Sequence, residues 1–175
     1  MASVLQLFVD MVRLRTRPQD LPASDGLLIG SVVAVIVASL LAIRQLYPVD
    51  LALARTGLDL ALQFAFVTGA LRMTGHPERF RQTFTALCGT GAILVLLTWP
   101  LLDILIDRTP ADDLFLLALL LLFGVYGWSV TVIGHILRHA LDLSLRRGVL
   151  IALGYVLLST AIADTLVPVP GGAPQ

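Results

Sequence analysis

Five apolar runs, each about as long as a bilayer crossing, dominate this chain. A helix needs roughly 20 mostly apolar residues to cross about 30 Å of hydrocarbon. The runs are Leu27 to Ile43, Leu51 to Leu71, Phe84 to Ile106, Leu114 to Leu137 and Gly148 to Val167. Each must satisfy its own backbone hydrogen bonds in lipid, so each is predicted to be a helix. Tyr47-Pro48 follows the first run, and Pro168 and Pro170 stop the last. The second run carries Arg55, Asp59 and Gln63. A four-span protein with that segment as a buried polar helix is therefore the alternative.

Composition agrees. Of 175 residues, 57% are hydrophobic and 14% charged, with a mean hydropathy of +0.89. An ordinary soluble domain has about 25% charged residues. These values exclude a disordered chain, a basic nucleic-acid binder and a typical soluble enzyme. Net charge is zero, and all twelve basic residues are Arg. A GC-rich genome accounts for that bias; Arg also holds phosphate in a bidentate way that Lys cannot. The single Cys88 excludes an internal disulfide and a thiolate metal cluster within one chain. Three Arg and three Asp precede the first run, unlike a cleaved signal peptide.

Ahead of the first span, polar Gln6, Asp10, Arg13 and Arg17 step by four, three and four. Leu5, Phe8, Val9 and Val12 hold the other face. This pattern predicts an amphipathic helix over Ser3 to Arg17 lying in the membrane interface, ended by Pro18 and Pro22. The alternative is a helix packed on the bundle. The domain plan is a cytoplasmic arm over 1–25, a five-helix membrane domain over 26–167 and a short external tail over 168–175.

Arginine placement orients the chain. Arg13, Arg15 and Arg17 lie on the arm, Arg72, Arg79 and Arg81 in the second loop, and Arg138, Arg146 and Arg147 in the fourth. Arg44 and Arg108 lie on the other side, with Arg55 able to snorkel there. Nine against three predicts a cytoplasmic N-terminus and an external C-terminus, and the lysine-free composition points to a bacterial source and so to its inner membrane. The alternation fits only if the spans number five, so charge and hydropathy agree.

Small residues recur every fourth position in the first two spans: Gly30, Ala34, Ala38 and Ala42, then Gly57, Ala61, Ala65 and Gly69. Such rows let helix backbones approach closely. They predict a tight antiparallel pair of the first two spans, or a homodimer face. Gly89-Thr90-Gly91 lies inside an apolar helix with no following Lys and is not a phosphate loop.

Ionisable residues in a span are functional hypotheses by default. Arg55 and Asp59 are four apart and can pair. With Gln63, Asp103 and Asp164 they predict a polar pocket open to the outside, for a cation, a proton or a lipid headgroup. The structural alternative is an inter-helix ion pair plus residues wetted at the boundary. His135 and His139 share a helix face near Asp142, a weak metal pattern with only His76 elsewhere. Asp107, Asp112 and Asp113 read as a solvated acidic loop. No Ser-His-Asp set, HExxH motif, Walker loop or CxxC pair is present, so neither catalysis nor a cofactor or metal is expected.

One resemblance can be drawn. Trp128-Ser129-Val130-Thr131-Val132-Ile133-Gly134-His135, then Leu143-Ser144-Leu145-Arg146-Arg147-Gly148, is similar to the penultimate helix and basic turn of the Yip (Ypt/Rab-interacting protein) family. Arg79-Phe80-Arg81-Gln82-Thr83-Phe84 resembles the entry to that family's middle helices. The chain resembles the family over its whole length in architecture: five spans, an amphipathic cytoplasmic arm and almost no tail. Its arm of about 26 residues is shorter than in eukaryotic members, which bind small GTPases. The resemblance implies a bacterial, non-enzymatic integral membrane protein. The combined expectation is an all-α polytopic bundle that organises membrane or partners through anionic lipid headgroups at its cytoplasmic face. A protein partner or a homo-oligomer is also expected, and nucleic acid is not. The other class is a small transporter subunit or ion-binding protein using Arg55, Asp59 and Asp103.

Overall fold

A computed structural model describes residues 3–43 and 46–168. It shows a short first helix, α1 (Val4–Val12), and five long ones: α2 (Asp25–Ile43), α3 (Val49–Met73), α4 (Phe80–Asp107), α5 (Asp113–Ala140) and α6 (Leu145–Leu166). All five long helices are long and apolar enough to cross a membrane, which is the architecture of a multi-pass membrane protein. α3 is among them despite its charges. Arg44, assigned above to the outer side, and residues 169–175 of the tail lie outside the described residues.

α1 is shorter than the pattern predicted. Ser3 caps it reciprocally: its hydroxyl accepts from the Gln6 amide at 3.2 Å, while Gln6 Oε1 accepts from the Ser3 amide at 2.8 Å. The helix stops at Val12 because Leu14 turns left-handed at φ 61°. The Arg15 amide then donates to the Asp10 carbonyl at 2.8 Å. α3 and α5 end the same way. Gly75 (φ 76°) precedes a bond from the His76 amide to the Leu71 carbonyl, and Asp142 (φ 54°) precedes one from Leu143 to Arg138. This closing motif satisfies orphan carbonyls and favours glycine at the left-handed position. Leucine there costs about 1 kcal/mol or more, so packing must hold the turn at Leu14.

The packing is uneven along the bundle. α4 is central, with α2 and α5 its main neighbours and α6 packed on α5. Every residue from Thr83 to Thr90 is buried, on all sides of α4. The small residues Ala86, Cys88 and Gly89 let neighbours close in, since van der Waals contact rather than hydrophobicity holds helices together in lipid. α1 closes the remaining side: Met11 is fully buried, and a Cβ on Gly89 would collide with the Phe8 ring. The core joins Phe8, Met11 and Leu21 to Leu71, Phe84, Leu87, Ile136 and Leu137, at the end of the bundle that carries the arm. Toward the other end the helices present Leu116, Leu117, Leu120, Leu121 and Phe123 outward, the side that lipid covers.

The small-residue rows sit elsewhere than the pairing prediction required. Ala38 and Ala42 are buried, but Gly30, Ala34, Gly57, Ala61 and Ala65 are exposed. A Cβ on Gly30, Gly57 or Gly69 would meet nothing within 4 Å. α3 instead buries Ala52, Thr56, Val67 and Leu71, a face that lies about 150° around the helix from the row at about 100° per residue. The close approach is between α5 and α6. A Cβ on Gly134 would lie 2.7 Å from the backbone of Val149, and one on Gly148 would strike the Gly134 carbonyl oxygen. Aromatic contacts fasten α3: Phe64 meets Phe80 and Phe84 of α4, and Phe66 stacks on Tyr155 of α6 at 4.6 Å.

Candidate functional site

Arm, α3–α4 turn and α5–α6 turn share one end of the bundle, which brings the nine arginines of the basic face together. They divide into two groups. Arg79 Nη1 donates to the His139 and Ala140 carbonyls at 3.2 and 3.1 Å and to Asp142 Oδ2 at 2.8 Å. It thereby closes the C-terminus of α5, where cations suit the helix dipole. His76 Nε2 reaches the same Asp142 oxygen at 3.2 Å. Arg138 Nε donates to His139 Nε2 at 3.1 Å, and Arg81 pairs with Asp25 at 3.3 Å. The other six, Arg13, Arg15, Arg17, Arg72, Arg146 and Arg147, are exposed and have no ion-pair partner among the described residues.

The arm is tied down by bonds that sequence reasoning missed. Trp128 Nε1 donates to the Val12 carbonyl at 3.0 Å, and Thr16 Oγ1 donates to Leu7 at 3.1 Å. Gln19 Nε2 donates to the His139 carbonyl at 2.8 Å. Gln82 Nε2 donates to the carbonyls of Gln19 and Leu21 at 3.0 and 2.7 Å. His135 Nε2 lies 2.9 Å from the Thr16 carbonyl, which only accepts, so the ring proton is on Nε2. An Arg guanidinium only donates, so His139 Nε2 accepts and its ring is neutral with the proton on Nδ1. Both Nε2 atoms are thus engaged away from any shared ligand. The two rings meet edge to face at 4.8 Å. Among the described residues no three His, Cys, Asp or Glu side chains are grouped to hold a metal. The one available signal for this latch was polarity out of place: Gln19 between Pro18 and Pro22, and Gln82 at the head of an apolar run.

At the opposite end the polar residues of the second span separate. Arg55 pairs with Asp164 Oδ1 at 2.7 Å rather than with Asp59. It also donates to the Val167 carbonyl through Nε at 3.0 Å and Nη2 at 2.8 Å, and lies over the Tyr47 ring at 5.7 Å. It is 18% exposed, so α3 and the end of α6 are stapled at one partly buried point. Gln63 Oε1 accepts from the Cys88 thiol at 3.7 Å, one helix away. Asp103 stands apart, with a buried Oδ1 that has no partner among the described residues. Arg55, Asp59, Gln63, Asp103 and Asp164 are therefore not one pocket. Arg55 and Asp164 form a clasp, Gln63 joins α4, and Asp59 belongs to neither pair. In the adjacent turn, Asp112 caps α5. The Leu114 amide, and then Arg108 at 3.0 Å, hold its carboxyl below the usual carboxylate range.

No protein-family model, no curated protein and no solved structure matches this chain.

Proposed function

We propose that this chain is a non-enzymatic membrane-organising protein of a bacterial inner membrane. Its arm-bearing end faces the cytoplasm and docks anionic phospholipid headgroups. The observation that carries the reading is the set of six exposed arginines without acidic partners among the described residues at that end: Arg13, Arg15 and Arg17 on the arm, Arg72, Arg146 and Arg147 around it. Guanidinium groups bind phosphate oxygens in pairs. Juxtamembrane basic residues each contribute about 1 kcal/mol of attraction to an anionic leaflet. α1 lies among them with Leu5 exposed, and a helix so placed sits at headgroup level with Phe8 and Met11 anchoring it to the bundle. The resemblance to the Yip family supports the same non-enzymatic reading. Two residues that carry it, Trp128 and Gly134, act here in holding the arm and joining α5 to α6.

Native mass spectrometry from mild detergent tests the docking. Phosphatidylglycerol should stay bound where phosphatidylcholine does not, and a variant with all six arginines changed to Gln should lose that preference. Equal retention of the two lipids by the wild type refutes the docking. A reporter active only in the cytoplasm, fused after Gln175, should be silent, and a bright signal overturns the orientation.

A further inference from the structure

Asp59 is a charged residue inside a span that the packing leaves over among the described residues. Arg55, four residues earlier and the natural counter-ion, is committed to Asp164 and the Val167 carbonyl. Among the described residues, Asp59 has neither an ion-pair nor a hydrogen-bond partner. It is the eleventh of the 25 residues of α3, about 15 Å along the helix at 1.5 Å per residue. That is close to the middle of about 30 Å of hydrocarbon. A bare carboxylate at such a depth is costly, and ionisable groups there are held neutral or matched by a cation.

Its surroundings are polar. Thr56, three residues earlier on the same face, is 7% exposed and its buried hydroxyl has no partner among the described residues. The buried Tyr155 hydroxyl of α6 has none either. Gln63 lies one turn further along and is bonded to Cys88. Gln63 and Phe66 follow Asp59 by four and seven residues on one face of α3, and through them Cys88 of α4 and Tyr155 of α6 stand against that face. Its own side chain is on the exposed part of α3 and is not sealed in the core. The neighbouring helices bring few other ionisable groups: Cys88, Asp103 and Asp107 on α4 with Arg81 at its start, Tyr155 and Asp164 on α6 with Arg146 and Arg147 at its start, and none on α2 beyond Asp25 at its start. α3 itself adds Asp50 and Arg55 near the outer end and Arg72 near the other.

We propose that Asp59 is an exchangeable proton-binding site inside the membrane, lined by Thr56, Gln63, Cys88 and Tyr155 and loaded from the end that carries the Arg55–Asp164 clasp. It is a separate activity from headgroup docking at the other end of the bundle. The site takes a proton onto the carboxylate and returns it, with no covalent step.

Dicyclohexylcarbodiimide tests this directly. The apolar reagent adds a protonated carboxylic acid across one C=N bond: the acid proton goes to nitrogen and the carboxyl oxygen to the central carbon. The adduct rearranges to a stable N-acylurea that keeps every atom of both molecules. Full-length protein in detergent is treated between about pH 5 and about pH 9 and the adducts are mapped by peptide mass. Asp59 should be labelled, and labelling should fall about tenfold per pH unit once the acid ionises. A water-soluble carbodiimide should mark the exposed Asp113 and spare Asp59. Absence of Asp59 label at every pH overturns the proposal. So does labelling independent of pH, which marks a permanently neutral acid. Loss of label on adding sodium at fixed pH overturns it in favour of a metal cation. Because the wild type is itself mapped, the result does not depend on a variant folding; Asp59→Glu should keep the pH-dependent label and Asp59→Asn should lose it.

Discussion

Replacing Gly134 by Ala probes the close approach of α5 and α6. The added methyl would lie 2.7 Å from the Cα and N of Val149, and neither backbone atom can rotate away. α6 must therefore move off α5, or α5 must bend. Overpacking of this kind costs typically about 1–3 kcal/mol. Ala also gains up to about 1 kcal/mol over Gly from helix propensity, which masks part of the cost. Gly124 removes that ambiguity. It lies in the same helix, and a Cβ there would meet nothing within 4 Å. Gly124→Ala carries the propensity gain without the collision, so the difference between the two variants isolates the collision at about 1–3 kcal/mol. Reversible unfolding in mixed detergent and dodecyl sulfate micelles, followed by the fluorescence of Trp99 and Trp128, measures both. Gly134→Ala should unfold at lower dodecyl sulfate than wild type, and Gly124→Ala at the same point or higher. Equal midpoints for the two variants would show that α5 and α6 do not approach through Gly134, and the packing argument would fail.

Two further outcomes follow from other contacts. Trp128→Phe keeps the ring and deletes the bond to the Val12 carbonyl, so the arm should loosen by about 1 kcal/mol; hydrogen exchange at the Phe8 to Val12 amides should speed up while that of α4 does not. Arg55→Gln breaks the clasp to Asp164 and Val167, and should destabilise the fold by about 1 kcal/mol. In a double-mutant cycle with Asp164→Asn the two losses should sum to more than the double variant shows, whereas strict additivity would mean that the pair is not coupled.

Much of the architecture was legible in the chain. Apolar run length placed the five long helices within a few residues of their observed ends, because a lipid solvent permits one local answer to such a run. The alternation of the arginines put the arm and both basic loops at one end, where the structure has them. Local capping signals stood in the chain but were not read from it: Ser3 and Gln6 have the spacing of a capping box, and Gly75 takes a left-handed turn. Leu14 carries no such signal, because a left-handed leucine is held by its surroundings and not by its own preference.

Which residues meet across helices was decided by the tertiary structure alone. Arg55 and Asp59 have the spacing of an ion pair, yet Arg55 turns to a carboxylate and a carbonyl on α6, far away in sequence. The rows at Gly30 and Gly57 have the same spacing as any close-packed seam, yet the seam runs through Gly134 and Gly148. Spacing along a helix states which side chains share a face. It carries no information on which face a neighbour covers, since in lipid an apolar face is as well served by acyl chains as by another helix. That choice rests on the sum of many small contacts between segments distant in the chain, and only the assembled bundle contains it.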